Sequence, residues 1–329
     1  MRIFLAAFSL LLLAGCAGTL PDLTQAHGPC TNRTGGWCDF TRELAADSFV
    51  YAQLSNNAYC DDNKTLALPP GYREVRRYPD TEVCELERRV ASGEKALKQQ
   101  LKDLHKARKA AREGAPSDNG FAWAVYDHVD PASGRLIERI IAYRGTDLGD
   151  IGDWLHGNLG KAQLTMGQGL YEREKADLAA GGHAAVPIRA TGHSLGGAIA
   201  LQVSVDNAGV DAFVFNPSPN YNFEPGLEGN RRVAIVERGD ILEMLRKRKM
   251  PARQELLFIN CQPNASGFAA HSVLKLAKCL TWIASRTSTT ARASLRANAI
   301  TDPPTGEIAN QLWGLTPDTK LDLPEETTE

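Results

Sequence analysis

The sequence predicts an α/β fold, a mostly parallel sheet covered by helices on both faces, and three observations predict it. Apolar runs of buried-strand length at Val186 to Ala190, Val210 to Phe215 and Arg232 to Val236 alternate with helical patterns. A glycine-rich turn joins the first of these runs directly to a helix of small residues, Gly197 to Val205. At 329 residues, 43% hydrophobic and 23% charged, the chain is long enough to bury one large core.

Taken in order, the chain opens with Met1-Arg2 and an apolar run from Ile3 to Leu13 that ends in Ala14-Gly15-Cys16. A bilayer-spanning helix needs about 20 apolar residues, so this shorter run reads as a signal peptide over residues 1–15. Leu13-Ala14-Gly15-Cys16 resembles the cleavage box of bacterial lipoproteins, which implies lipidation of Cys16 and an envelope location. By the same resemblance, Ala17 in place of Asp points to the outer membrane, with secretion as the other outcome. Residues 16–39, poor in large apolar side chains, then read as a tether, and the folded domain spans residues 40–300.

Between Thr81 and Gly114 charge is dense, while Val83, Leu86, Val90, Leu97, Leu101 and Leu104 recur at helical spacing. This is an inserted helix or helical hairpin. Its basic face suits anionic headgroups, but interspersed acids favour an ordinary solvated surface. Phe121 to Tyr126 and Leu136 to Tyr143 flank a turn at Pro131 to Gly134 and read as a hairpin entering the sheet, and Tyr171 to Ala180 reads as a helix. Residues 301–329 form a Pro- and Thr-rich acidic tail.

Besides Cys16 there are six cysteines, and proximity along the chain suggests the pairs Cys30–Cys38, Cys60–Cys84 and Cys261–Cys279 in an oxidising compartment. None has zinc-site spacing with histidine. The net charge of −2 provides no field for recruiting nucleic acid.

The chemistry is concentrated in Gly192-His193-Ser194-Leu195-Gly196. A serine hydroxyl becomes a useful nucleophile only when a base and oxyanion donors surround it. A strand-turn-helix elbow presents it, with Gly192, His193 and Gly196 forming the turn. This makes an α/β-hydrolase fold the expectation. In that fold the acid and then the histidine follow the serine in sequence. His271 is the one histidine downstream of the elbow and is the candidate base. Asp240, after the run Arg232 to Val236, is the candidate acid, with Glu237, Asp211 and Asp206 as rivals.

Two blocks resemble the class 3, fungal-type lipase family and its bacterial relatives: Gly192 to Gly197, and Ala142-Tyr143-Arg144-Gly145-Thr146 followed by Asp153-Trp154. The resemblance implies a carboxylester hydrolase with Ser194, His271 and Asp240 as its triad. It also implies an oxyanion hole from Thr146 and the Leu195 N–H, and no metal or cofactor. Tyr143 replaces the family's usual Phe, Asn216-Pro217-Ser218-Pro219 matches its Gly-x-Pro block only loosely, and Leu155 to Met166 is weakly amphipathic for a lid. The expected partners are a lipid or ester substrate and, through Cys16, a membrane. A short-chain esterase or thioesterase, or a non-catalytic envelope lipoprotein, are the alternatives.

Overall fold

The computed structural model describes residues 33–34, 37–60, 65–110, 120–145, 159–222, 229–249, 255–301 and 304. Cys16, Cys30, Thr146, Asp153, Trp154 and nearly all of the tail lie outside the described residues, as does the first part of the lid region. Among the described residues, no helix is long and apolar enough to cross a membrane.

A small antiparallel ribbon, β1 (Arg33–Thr34) and β2 (Trp37–Cys38), leads into α1 (Asp39–Asn57). Trp37 and Cys38 are buried, so packed structure begins slightly before the position suggested by composition. Next come β3 (Tyr72–Tyr78), α2 (Thr81–Ala91), a short 3₁₀ turn at Lys95–Leu97, and α3 (Lys98–Ala110). The hairpin β4 (Trp123–Val129) and β5 (Leu136–Tyr143) is followed by α4 (Leu159–Ala180), β6 (Ile188–His193) and α5 (Leu195–Asp206). The rest comprises β7 (Ala212–Phe215), β8 (Arg232–Glu237), α6 (Glu243–Lys249), β9 (Glu255–Ile259), α7 (Val273–Ala284) and α8 (Thr289–Ala297).

Strands β3 to β9 form one sheet of seven strands in sequence order. β4 is antiparallel to both of its neighbours, β3 and β5, and every pairing from β5 to β9 is parallel. Alternate residues divide the core. Ile141, Tyr143, Ala190, Ala212, Val214, Ala234 and Val236 face α4 and α5, while Ile140, Ala142, Phe213, Phe215, Val233 and Ile235 face α1 and α7. Period-2 alternation in strands with both faces covered produces this division. The expected α/β architecture, with helices on both faces and a charged helical insertion, is therefore present.

Several elements left no clear trace in the sequence. Helix α1 is buried on most of its circumference, from Thr41 to Asn57, so it carries no polar stripe to reveal a helical period. β3 reads Tyr-Arg-Glu-Val-Arg-Arg-Tyr because it is the exposed edge, where charge blocks pairing with another sheet. Two disulfides, Cys60–Cys84 and Cys261–Cys279, tie α1 to α2 and the loop after β9 to α7. Cys38 is also disulfide-bonded.

Candidate active site

The elbow is built by steric necessity. Ser194 sits between β6 and α5 at φ 57°, a backbone conformation that non-glycine residues rarely adopt. A Cβ on Gly192 would lie 2.4 Å from the Gly196 carbonyl, and one on Gly196 would lie 2.0 Å from the Tyr143 carbonyl oxygen. No side chain fits at either position, so the glycines allow the helix start to press against β5 and β6. The Ser194 carbonyl accepts from the Ser218 N–H at 2.9 Å, and the Ser194 N–H donates to the Phe215 carbonyl at 3.2 Å, which ties the strained turn to the end of β7. The Leu195 N–H belongs to the first turn of α5, whose N–H groups have no partner within the helix.

His271 and Asp240, 31 residues apart, meet in the interior, with Nδ1 of the imidazole hydrogen-bonded to Oδ2 of the carboxylate. Because a carboxylate only accepts, Nδ1 carries a proton, and in the neutral form of the ring Nε2 presents a bare lone pair. That Nε2 is buried without a hydrogen-bond partner among the described residues. Ser272, next in the chain, caps α7 through the Lys275 N–H and so fixes the direction in which the chain leaves His271.

Asp240 has further partners. Its Oδ1 accepts from the Leu242 N–H at 2.6 Å and lies 2.9 Å from Nη2 of Arg246, whose side chain is fully buried. Arg246 Nε also donates to the Pro217 carbonyl at 2.6 Å. Burial works against the Asp240 charge, but Arg246 and the His271 hydrogen bond outweigh it and hold the carboxyl below its ordinary range. Glu237, the rival acid, faces elsewhere and accepts from the Gln262 N–H at 2.8 Å. Burial pushes its carboxyl up to about 7. Asp211 accepts from the Arg231 N–H at 2.7 Å and pairs with Arg189, while Asp206 accepts from Gln202 at 2.9 Å.

A second imidazole braces this pair. Nε2 of His193 lies 2.7 Å from the His271 carbonyl oxygen, and the two rings are 4.6 Å apart. Burial and the neighbouring His271 hold His193 well below its ordinary pKa, so it is neutral. A carbonyl cannot donate, so Nε2 of His193 carries the proton and Nδ1 accepts from the Tyr59 hydroxyl at 2.8 Å. The Tyr59 oxygen in turn accepts from the Gly145 N–H at 3.2 Å. One directed chain thus runs from the block preceding Thr146 to the backbone of His271.

Tyr59, Arg246 and Asn216 carry more of this site than the sequence revealed. Tyr59 is 134 residues from His193 and matches no local motif. Arg246 lies in the run Arg246-Lys247-Arg248-Lys249, which reads as an exposed basic helix. Asn216 takes a left-handed φ of 44°, accepts from the Glu237 N–H at 2.8 Å and donates to the Ala270 carbonyl at 3.3 Å, so it links the ends of β7 and β8 to the His271 loop.

Residues 50–219, just over half of the chain, match the family model described as phospholipase-like, Tle-like phospholipase domain. The chain belongs to this phospholipase-like family. The matched region contains Tyr59, Gly145, His193 and Ser194 and ends before Asp240 and His271. Among solved structures, the chain is similar to the lipase from Rhizopus microsporus var. chinensis, with 13% identity, a TM-score of 0.39, and coverage of 69% of this chain and 77% of that one. It is also similar to the Rhizomucor miehei lipase in its propeptide complex, with 14% identity, a TM-score of 0.38, and coverage of 65% and 68%. No curated protein matches the sequence. Membership of the phospholipase-like family gives the chain a lipase- or phospholipase-like hydrolase character.

Proposed function

We propose that this member of the phospholipase-like family is a serine carboxylester hydrolase that cleaves the acyl esters of phospholipids or acylglycerols. The observation that carries the reading is the His271 imidazole, protonated toward Asp240 and open at Nε2, with its ring 4.6 Å from that of His193 in the strained Ser194 elbow. Among the described residues Ser194 makes no hydrogen bond to Nε2 of His271; such contacts are often long before substrate binds.

In the proposed reaction, Nε2 of His271 takes the Ser194 proton as Oγ attacks the ester carbonyl. The oxyanion then faces the Leu195 N–H and Thr146. Collapse of the tetrahedral intermediate breaks the acyl–oxygen bond, and the leaving alkoxide takes the proton from His271. Water repeats the cycle on the acyl-Ser194 ester, releasing the fatty acid and restoring the serine. Asp240 stays ionised throughout and stabilises the imidazolium.

The test is hydrolysis of p-nitrophenyl esters of increasing acyl length and of a diacyl phospholipid, comparing wild type with Ser194→Ala and His271→Ala. Long-chain activity lost in both variants supports the reading, and activity confined to short chains would move it to an esterase or thioesterase. Folded protein with no hydrolysis, and no fluorophosphonate label on Ser194, would leave a non-catalytic relative.

A further inference from the structure

The register of the sheet places the helical insertion at the catalytic end. Tyr78 pairs with Trp123, Trp123 with Tyr143, and Tyr143 with Gly192, so these residues form one row across four strands at the end from which Ser194 emerges. With strands about 4.8 Å apart, Tyr78 stands about 14 Å from Gly192. α2 begins at Thr81, just beyond Tyr78, and the chain re-enters the sheet at Trp123. The insertion therefore leaves and rejoins the body beside the candidate active site.

Its two helices differ. α2 is anchored, with Val83, Cys84 and Leu86 buried and Cys84 bonded to Cys60, the residue after Tyr59. In α3 none of the side chains described is buried; Leu101 and Leu104 are half-exposed, and Lys98, Lys102 and Lys106 are exposed. Successive residues turn by about 100° in a helix, so these three lysines, four apart, lie within an arc of about 80°. Lys95, in the preceding turn, is also exposed.

Two neighbouring acids are paired with arginines, Glu85 with Arg88 and Glu94 with Arg89, while Asp103 accepts from the Gln99 amide. None of the four lysines has an ion-pair partner among the described residues. A helix with no fully buried side chain among those described, which gathers lysines without ion-pair partners on one side, is suited to contact something outside the molecule.

We infer that α3, with Lys95, is a docking surface for an anionic phospholipid bilayer, which it engages on the side of the molecule where Ser194 opens. The choice of a bilayer over other polyanions rests on the proposed lipid-ester substrate. The lysines would hold lipid phosphates by charge.

Binding is tested on the full chain carrying Ser194→Ala, by cosedimentation with phosphatidylcholine vesicles with and without phosphatidylglycerol. The expected result at low salt is about tenfold tighter binding to the anionic vesicles, lost in K95Q/K98Q/K102Q/K106Q protein that still unfolds cooperatively, and weakened in the parent by added salt. Equal binding of the parent to both vesicles, or an anionic preference that survives the four substitutions, would overturn the inference. Because Ser194→Ala does not turn over, vesicle binding is read independently of hydrolysis, and either result stands if the other fails.

Discussion

The Tyr59 hydroxyl and Nδ1 of His193, 2.8 Å apart, couple a residue just beyond α1 to the nucleophile elbow and fix the tautomer of a histidine that is not itself the candidate base. Through that tautomer the Gly145 N–H, the elbow and the His271 carbonyl share one hydrogen-bond direction. Tyr59→Phe leaves the Gly145 N–H and His193 Nδ1 without their partner, at a cost of about 1–3 kcal/mol. Urea denaturation should show that loss, and kcat should fall while KM changes little. A Tyr59→Phe enzyme with wild-type kcat and stability would show that the chain of hydrogen bonds has no role.

Asp240 holds His271 in the tautomer that leaves Nε2 open, and an amide at that position can donate to Nδ1 and reverse it. Asp240→Asn should lower kcat on the order of 10⁴-fold. It should also destabilise the fold, because Arg246 loses its buried counter-charge. Steady-state kinetics and a denaturation curve on the same preparation check both parts.

Arg246→Met removes the charge that holds Asp240 ionised. Breaking a buried pair by deleting one partner costs about 3–5 kcal/mol. Since Arg246 helps to depress the Asp240 carboxyl, its loss should raise that carboxyl and move the acid limb of the kcat/KM profile to higher pH. An unchanged acid limb in a folded variant would mean that Arg246 serves packing alone.

Gly196→Ala places a methyl group against the Tyr143 carbonyl and should abolish soluble folded protein or all activity. A Cβ on the exposed Gly169, on α4, would meet nothing within 4 Å. Gly169→Ala should instead stabilise the protein by up to about 1 kcal/mol through helix propensity. Thermal unfolding of the two variants makes the contrast.

Glu237 is fully buried, and that burial pushes its carboxyl from the ordinary 4.5 up to about 7. The folded state therefore holds the proton more tightly than the unfolded chain does. The resulting stability is complete below about 4.5 and is lost as pH rises through about 7, amounting to roughly 3 kcal/mol. Glu237→Gln should flatten the pH dependence of stability in that window and leave the protein more stable than wild type at pH 8, as urea denaturation across pH would record.

What the sequence determined by itself was local. The strand-turn-helix around Ser194 was legible because glycine spacing, a preceding apolar run and a following small-residue helix lie within a few residues of one another. Asp240 and His271 could be named as candidates from chain order and strand position. Their hydrogen bond could not, because it joins residues 31 apart that only the folded chain brings together.

Only the tertiary structure decided the rest. Tyr59 and Arg246 gain their roles from where α1 and α6 deliver them, and neither helix has a period or motif that points inward at those residues. Burial likewise set the charge states of His193 and Glu237, since desolvation depends on surroundings that no stretch of sequence contains.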